Sequence, residues 1–262
     1  NLIMNIDYAV ISSNQNPFYR DFYEPVSRAW NRFGYKTFMI EVCDEESDIF
    51  ETEYGIYKKI KKVNGSVELQ AQVARLFAFN LIKEKNLLTS DIDMMPLNRE
   101  YFDSRAQNVP ESDVLVYTAQ AQGKEYPYFP MCYVLANSEV LPNILGIADM
   151  SFSDFINHLE NVFVSDPVAG TAWNRDENFL FDQLSKVDNK VILKDRHHHQ
   201  NRLCRGTGWG YNDESLKDGS YIDFHLIRPY NSPAGEQSVD GCTGPDVDHK
   251  QVIDKVLKTI GA

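Results

Sequence analysis

The most constraining feature of the chain is an apolar run that ends in a pair of carboxylates. Glu68 to Lys85 carries Leu69, Val73, Leu76, Phe77 and Leu81 at helical spacing, and Asn86 closes it. Leu87-Leu88-Thr89 then reads as a short strand running into Ser90-Asp91-Ile92-Asp93, with the apolar Met94-Met95-Pro96 behind it. In an extended segment, residues two apart point to the same side. The carboxylates of Asp91 and Asp93 would therefore repel each other unless a cation sat between them. Mg²⁺ and Mn²⁺ take such oxygen ligands, usually one or two carboxylates completed by phosphate oxygens. The same D-x-D spacing also occurs on exposed loops that hold nothing. Here apolar residues flank the pair on both sides, and charges so embedded need partners.

The segments around this core alternate. Asp7 to Ile11 reads as a buried strand, and Ser12 to Pro17 as a polar loop. Tyr19 to Phe33 is a helix stopped by Gly34, and Lys36 to Val42 a second strand. Strand, loop, helix, strand is the opening of an α/β sheet with mostly parallel strands and flanking helices. Ligands on such sheets sit beyond the carboxyl ends of the strands, where Ser12 to Pro17 falls. Asp44 to Asp48 is read as a solvated acidic run. Further strands are expected at Val114 to Thr118, Met131 to Leu135, Val191 to Leu193 and Tyr221 to Ile227. Further helices are expected at Ser153 to Val162, Asp176 to Leu184 and Lys250 to Ile260, and Tyr126 to Phe129, with Pro127 and Pro130, is expected to be a rigid bend. No linker or repeat interrupts the pattern, so one domain is expected over 1–262. About 1–135 would form an ordered half and about 136–262 a looser one.

Composition narrows the partners. A net charge of -12 argues against nucleic acid, which selects a basic face. An acidic chain that binds a nucleoside diphosphate needs a local positive centre, and a metal ion supplies one. Cys43, Cys132, Cys204 and Cys242 show no C-x-x-C pair, so free buried thiols are expected rather than a zinc site. No apolar run is long enough to span a membrane and no signal peptide is evident. A cytoplasmic or soluble catalytic domain is the expected setting. Because the chain starts at Asn1, a removed anchor or neighbouring domain is kept as the alternative.

The run from Gln72 to Leu97 resembles the centre of GT-A fold nucleotide-sugar glycosyltransferases, most nearly the glycogenin-like and galactosyltransferase-like group. In that group an arginine-bearing helix leads into a strand that ends in D-x-D. The resemblance implies that Asp93 binds Mn²⁺ or Mg²⁺ directly. It implies that Asp91 faces the ribose or sugar and shares the metal, and that Arg75 lies near the donor's nucleotide or diphosphate. A surface arginine on an amphipathic helix is the other reading of Arg75. Asp223 to Tyr230 is similar to the family's C-terminal metal-ligand segment, which makes His225 a third ligand and Arg228 a diphosphate contact. The glycine that the family carries after this histidine is absent here. Asp176 and Glu177 match an acidic pair at the start of a late helix that faces the acceptor. One of them would act as a base in an inverting enzyme, although acidic residues favour helix N-termini in any protein. Ser12 and Asn14 would border the nucleotide base, and ordinary turn chemistry accounts for them equally.

The resemblance thus implies a metal-dependent transferase moving a sugar from a UDP- or GDP-linked donor to a sugar or glycan acceptor. A nucleotidyltransferase or phosphohydrolase using the same carboxylates is one alternative. A non-catalytic carbohydrate-binding module is another. His197-His198-His199 reads as a solvated loop. Arg205 to Gly210 reads as a flexible lid, with Trp209 and Tyr211 available to stack on sugars. Retention and inversion both remain open.

Overall fold

A computed structural model describes residues 4–119, 128–164, 174–194, 201–204, 211–231 and 248–262. Tyr126 and Pro127 of the expected bend, the histidine run, the glycine-bearing segment with Trp209, and Cys242 lie outside the described residues.

Strands β1 (Tyr8–Asn14), β2 (Lys36–Cys43), β3 (Phe50–Thr52), β4 (Gly55–Lys61) and β5 (Asn86–Thr89) form one half of an eight-stranded sheet. The other half is β7 (Val114–Val116), β8 (Val134–Asn137) and β9 (Lys190–Ile192), and the order is β3-β4-β2-β1-β5-β8-β7-β9. β4, β2, β1 and β5 run parallel, as do β7 and β9, whereas β3 and β8 run antiparallel to their neighbours. Parallel strands covered on both faces are apolar throughout, and the alternation of side chains divides them between two cores. Ala9, Ile11, Met39 and Leu88 join the core that contains Phe22, Trp30 and Phe102. Val10, Phe38, Ile40 and Leu87 join the one that contains Phe77, Phe79 and Phe155. Helix α2 (Tyr23–Arg32) covers the first face through Val26, Ala29 and Trp30. Helix α3 (Val67–Leu81) covers the second through Val73, Leu76 and Phe77.

A second sheet, in the order β10-β11-β6, is small: β6 is Met94–Pro96, β10 Arg202–Cys204 and β11 Asp223–His225. β6 pairs antiparallel with β11, setting His225 opposite Met94, and Leu226 N–H donates to the Asp93 carbonyl at 2.9 Å. A strand near the chain's end is thereby tied to the segment that follows Asp91.

Several expectations are corrected. The helix expected to run to Lys85 stops at Leu81, because Ile82 is already extended (φ -131, ψ 150). The helix from Tyr19 splits into α1 (Pro17–Arg20) and α2. The strand expected over Met131 to Leu135 begins only at Val134. Tyr133 takes a left-handed turn (φ 74), and Thr89 holds that turn by donating its hydroxyl to Met131 O at 2.7 Å and accepting from Val134 N–H at 3.0 Å. Tyr221 to Ile227 shortens to β11. The β3–β4 hairpin was hidden by its lysines. Lys58, Lys59 and Lys62 pair with Glu46, Glu45 and Asp44, so the acidic run serves as their counter-charge. Cys43 and Cys132 are free thiols, and Cys43, Cys132 and Cys204 are all buried. Among the described residues no helix is long and apolar enough to cross a membrane.

Gly55 opens β4 at φ +144, and a Cβ there would lie 2.3 Å from the Thr37 carbonyl oxygen. Gly55→Ala is therefore expected to destabilise the fold by at least ~1–3 kcal/mol. A lower urea midpoint with an unchanged slope would show it.

Candidate active site

At the carboxyl ends of β1 and β5 lies a cavity of about 500 Å³, within the ~300–1,000 Å³ typical of small-molecule sites. Nine side chains singled out from the sequence line it: Ser12, Asn14, Arg75, Asp91, Asp93, Asp176, Glu177, His225 and Arg228; Tyr211 does not. Cys132, Gln72 and Arg202 line it as well.

Its charged groups fall into two sets. The first is centred on Arg75, which is 7% exposed in the middle of α3. One guanidinium nitrogen donates to Asp91 Oδ1, and the other donates to Asp176 Oδ2 at 3.1 Å. Arg75 therefore clamps the D-x-D segment to the first turn of α4 (Arg175–Leu184). Burial opposes its charge, yet Asp91 and Asp176 more than offset that and raise its pKa. Burial also pushes the Asp176 carboxyl above its ordinary range, with Arg75 pulling the other way and Asp91 adding to the rise.

The second set is centred on Asp93. His225 Nε2 is 3.6 Å from Asp93 Oδ2, and Arg228 Nε is 3.7 Å from the same oxygen. Arg228 also donates to the Tyr19 hydroxyl and lies over the rings of Tyr19 and Phe18, 4.9 and 5.6 Å from their centroids. Main-chain pairing of β6 with β11 puts these groups together, although they stand far apart in sequence.

Among the described residues, no three His, Cys, Asp or Glu side chains form a ready metal cage. Asp93 and His225 nevertheless converge within 3.6 Å. A carboxylate oxygen and an imidazole nitrogen at that separation fit as two neighbouring ligands of one divalent ion. Such ions commonly complete their shell with phosphate oxygens and water. Asp91 shares its carboxylate with Arg75, and its side chain is 36% exposed toward the cavity.

Glu177 adjoins Asp176 and accepts from Met131 N–H at 3.3 Å. Burial, then the charges of Asp176 and Asp91, push its carboxyl up to about 8. A carboxyl whose folded value exceeds its ordinary 4.5 favours the folded state fully below that value. The contribution fades as pH rises toward about 8. Glu177→Gln is thus expected to leave Tm unchanged at pH 4 and raise it at pH 8.5, by about 2–4 °C for each kcal/mol recovered. Thermal scans at the two pH values test this.

Arg202 carried no sequence signal. It makes a two-point ion pair with Asp223 across β10 and β11, at 2.8 and 3.0 Å, and its partner is evident only once the strands are paired. Ser12 donates its hydroxyl to Ala71 O at 2.5 Å, joining β1 to α3. Asn14 accepts from Asn16 N–H at 3.0 Å at the cavity's edge. Tyr211 packs beside the first core with Lys255 over its ring at 5.6 Å.

No protein-family model matches the chain, and no curated protein matches its sequence. Solved structures do match the fold. The glycosyltransferase GlyE of Streptococcus pneumoniae TIGR4 aligns at 15% identity and a TM-score of 0.51, over 98% of this chain and 64% of that one. An active-site mutant of LgtC aligns at 11% identity and a TM-score of 0.55, over 97% of this chain and 95% of that one. The galactosyltransferase LgtC in complex with donor and acceptor sugar analogues gives 10%, 0.51, and the same coverage. The chain therefore spans just under two thirds of GlyE and nearly all of LgtC. What these structures share with it, at such low identity, is the mixed α/β GT-A architecture of glycosyltransferases.

Proposed function

We propose that the chain is a metal-dependent glycosyltransferase, moving a hexosyl or pentosyl group from a nucleotide-sugar donor to a hydroxyl of a sugar or glycan. The observation that carries the reading is the convergence of Asp93, His225 and Arg228 in a cavity that Arg75, Asp176 and Glu177 also line. A fold of this class supports many chemistries, so the site must bear the argument.

In this reading Asp93 and His225 hold Mn²⁺ or Mg²⁺, with Asp91 turned to the ribose or sugar. When bound, the ion supplies positive charge against the diphosphate that departs. Arg228 adds a forked donor beside it, where charge grows in the transition state. Ser12 and Asn14 border the nucleotide at the end of β1. Asp176 and Glu177 face the acceptor. Asp176 is held by Arg75 and grips an acceptor hydroxyl. Glu177 carries its proton over most of the neutral range; as a base it would work on the alkaline side, where that proton is lost. Residues 1–135 supply most of the donor side, and 136–262 the acceptor side.

Calorimetric titration of UDP and of GDP, each with and without Mn²⁺, tests the donor site. Binding of one nucleotide that tightens at least tenfold with Mn²⁺ is the expected result. Metal-independent binding, or none, would remove the reading.

A further inference from the structure

A second cavity, of about 730 Å³, shares no lining residue with the first. One wall is aromatic. Phe50 is 43% exposed, an unusual position for a large apolar side chain, and Ile49 beside it is 36% exposed. Phe50 is not loose: its ring stacks on Tyr57 (centroids 5.2 Å apart, planes at 22°), and Tyr57 meets Tyr23 edge-on at 5.4 Å. The Tyr23 hydroxyl is 3.0 Å from the Thr52 hydroxyl, which fixes the β3–β4 turn behind the stack. An aromatic ring is thus backed by two tyrosines and left partly open to solvent.

The rest of the groove is polar and charged. Glu41, 1% exposed, sits in its floor, 2.6 Å from the half-exposed Arg20. Also in the lining, the Tyr230 hydroxyl donates to Asp254 at 2.7 Å. The carboxylates of Asp21, Glu24, Glu41, Glu53 and Asp254 nearly balance the cations of Arg20, Arg28, Lys59 and Lys250. A groove of this balance selects neither a phosphate nor a strongly basic peptide. It suits a neutral ligand with an apolar face and many hydroxyls, since C–H bonds pack on an aromatic ring while carboxylate and guanidinium groups bond to the hydroxyls.

We propose that this groove is a second carbohydrate site, binding a neutral oligosaccharide by stacking a sugar ring on Phe50. It lies apart from Asp93 and depends on no step of sugar transfer. Saturation-transfer NMR with cellohexaose, maltohexaose and xylohexaose tests it on the wild type, Phe50→Ala, Phe50→Tyr and Asp93→Asn. At least one hexasaccharide is expected to bind the wild type, Phe50→Tyr and Asp93→Asn alike, and Phe50→Ala at least tenfold more weakly. Binding of none of the three overturns the proposal, as does binding indifferent to Phe50→Ala. Binding that fails in Asp93→Asn assigns the sugar to the first cavity and overturns it too. Circular dichroism of Phe50→Ala checks the fold, and the retained aromatic ring of Phe50→Tyr separates loss of stacking from loss of structure.

Discussion

Asp93→Asn is expected to lower sugar transfer by about 10²–10³-fold and to abolish the Mn²⁺ dependence of nucleotide binding, with Tm close to the wild type. The substitution keeps the shape of the side chain and removes its charge. The main-chain contacts that organise the segment survive it: Leu226 N–H still meets the Asp93 carbonyl, and β6 still pairs with β11. What disappears is the anionic oxygen lying between His225 and Arg228. An amide oxygen is a weaker ligand for a hard divalent ion than a carboxylate. Arg228 is then left beside a neutral group and keeps its contacts with Tyr19, so the loss falls on the metal more than on the fold. His225→Ala is expected to act in the same direction with a smaller effect, because diphosphate oxygens and water can fill one missing position. Steady-state assays of nucleoside diphosphate release across a Mn²⁺ series separate the outcomes. Transfer by Asp93→Asn within tenfold of the wild type, at any Mn²⁺ concentration, would sink the assignment.

How much of this was legible in the sequence depends on how local the cause is. The opening strand–helix–strand is legible because Ala9, Val10 and Ile11 alternate between two apolar faces, and Trp30 and its neighbours supply a cover of helical period. The D-x-D segment is legible because a polar pair interrupts an apolar run. The beginning of β8 is not, since it depends on a left-handed Tyr133 held by a threonine 44 positions earlier in the chain. Three-residue strands such as β6, β10 and β11 are too short to show a period. Their pairing nevertheless places His225 beside Asp93. In the sequence only the resemblance of the Arg228-Pro229-Tyr230 neighbourhood pointed to that histidine. Arg75 shows the limit most clearly. Its partners lie 16 and 101 positions away, and no window of sequence distinguishes a buried clamp from a solvated arginine on a helix.

That clamp gives the largest expected effect on stability. Arg75→Met should cost about 3–5 kcal/mol at neutral pH, the usual penalty for removing one partner of a buried ionic cluster. Methionine fills much of the arginine's volume, so the loss is electrostatic rather than a void. The two carboxylates share it unequally. Asp91, with 36% of its side chain exposed, recovers solvation from the cavity, whereas Asp176 at 3% cannot. Without Arg75, only the hydrogen bond from Glu177 N–H still opposes burial and Asp91 at Asp176, and its carboxyl rises further above its ordinary range. A raised carboxyl favours the folded state below the unfolded value, and that contribution is lost as pH climbs through the folded one. The penalty of Arg75→Met must therefore shrink on acidification, because protonated Asp176 no longer needs a cation. It must also shrink when Asp176→Asn is added, since the amide buries no charge. Urea unfolding at pH 7.5 and pH 4.5 on both single variants and the double variant measures each term. A loss under about 1 kcal/mol at pH 7.5, or a loss equal at the two pH values, would show that Arg75 lies at a site where water screens the charges. Additive effects in the double variant would show that the guanidinium and the Asp176 carboxylate are not coupled, leaving the apolar contacts of the core to join α3 and α4.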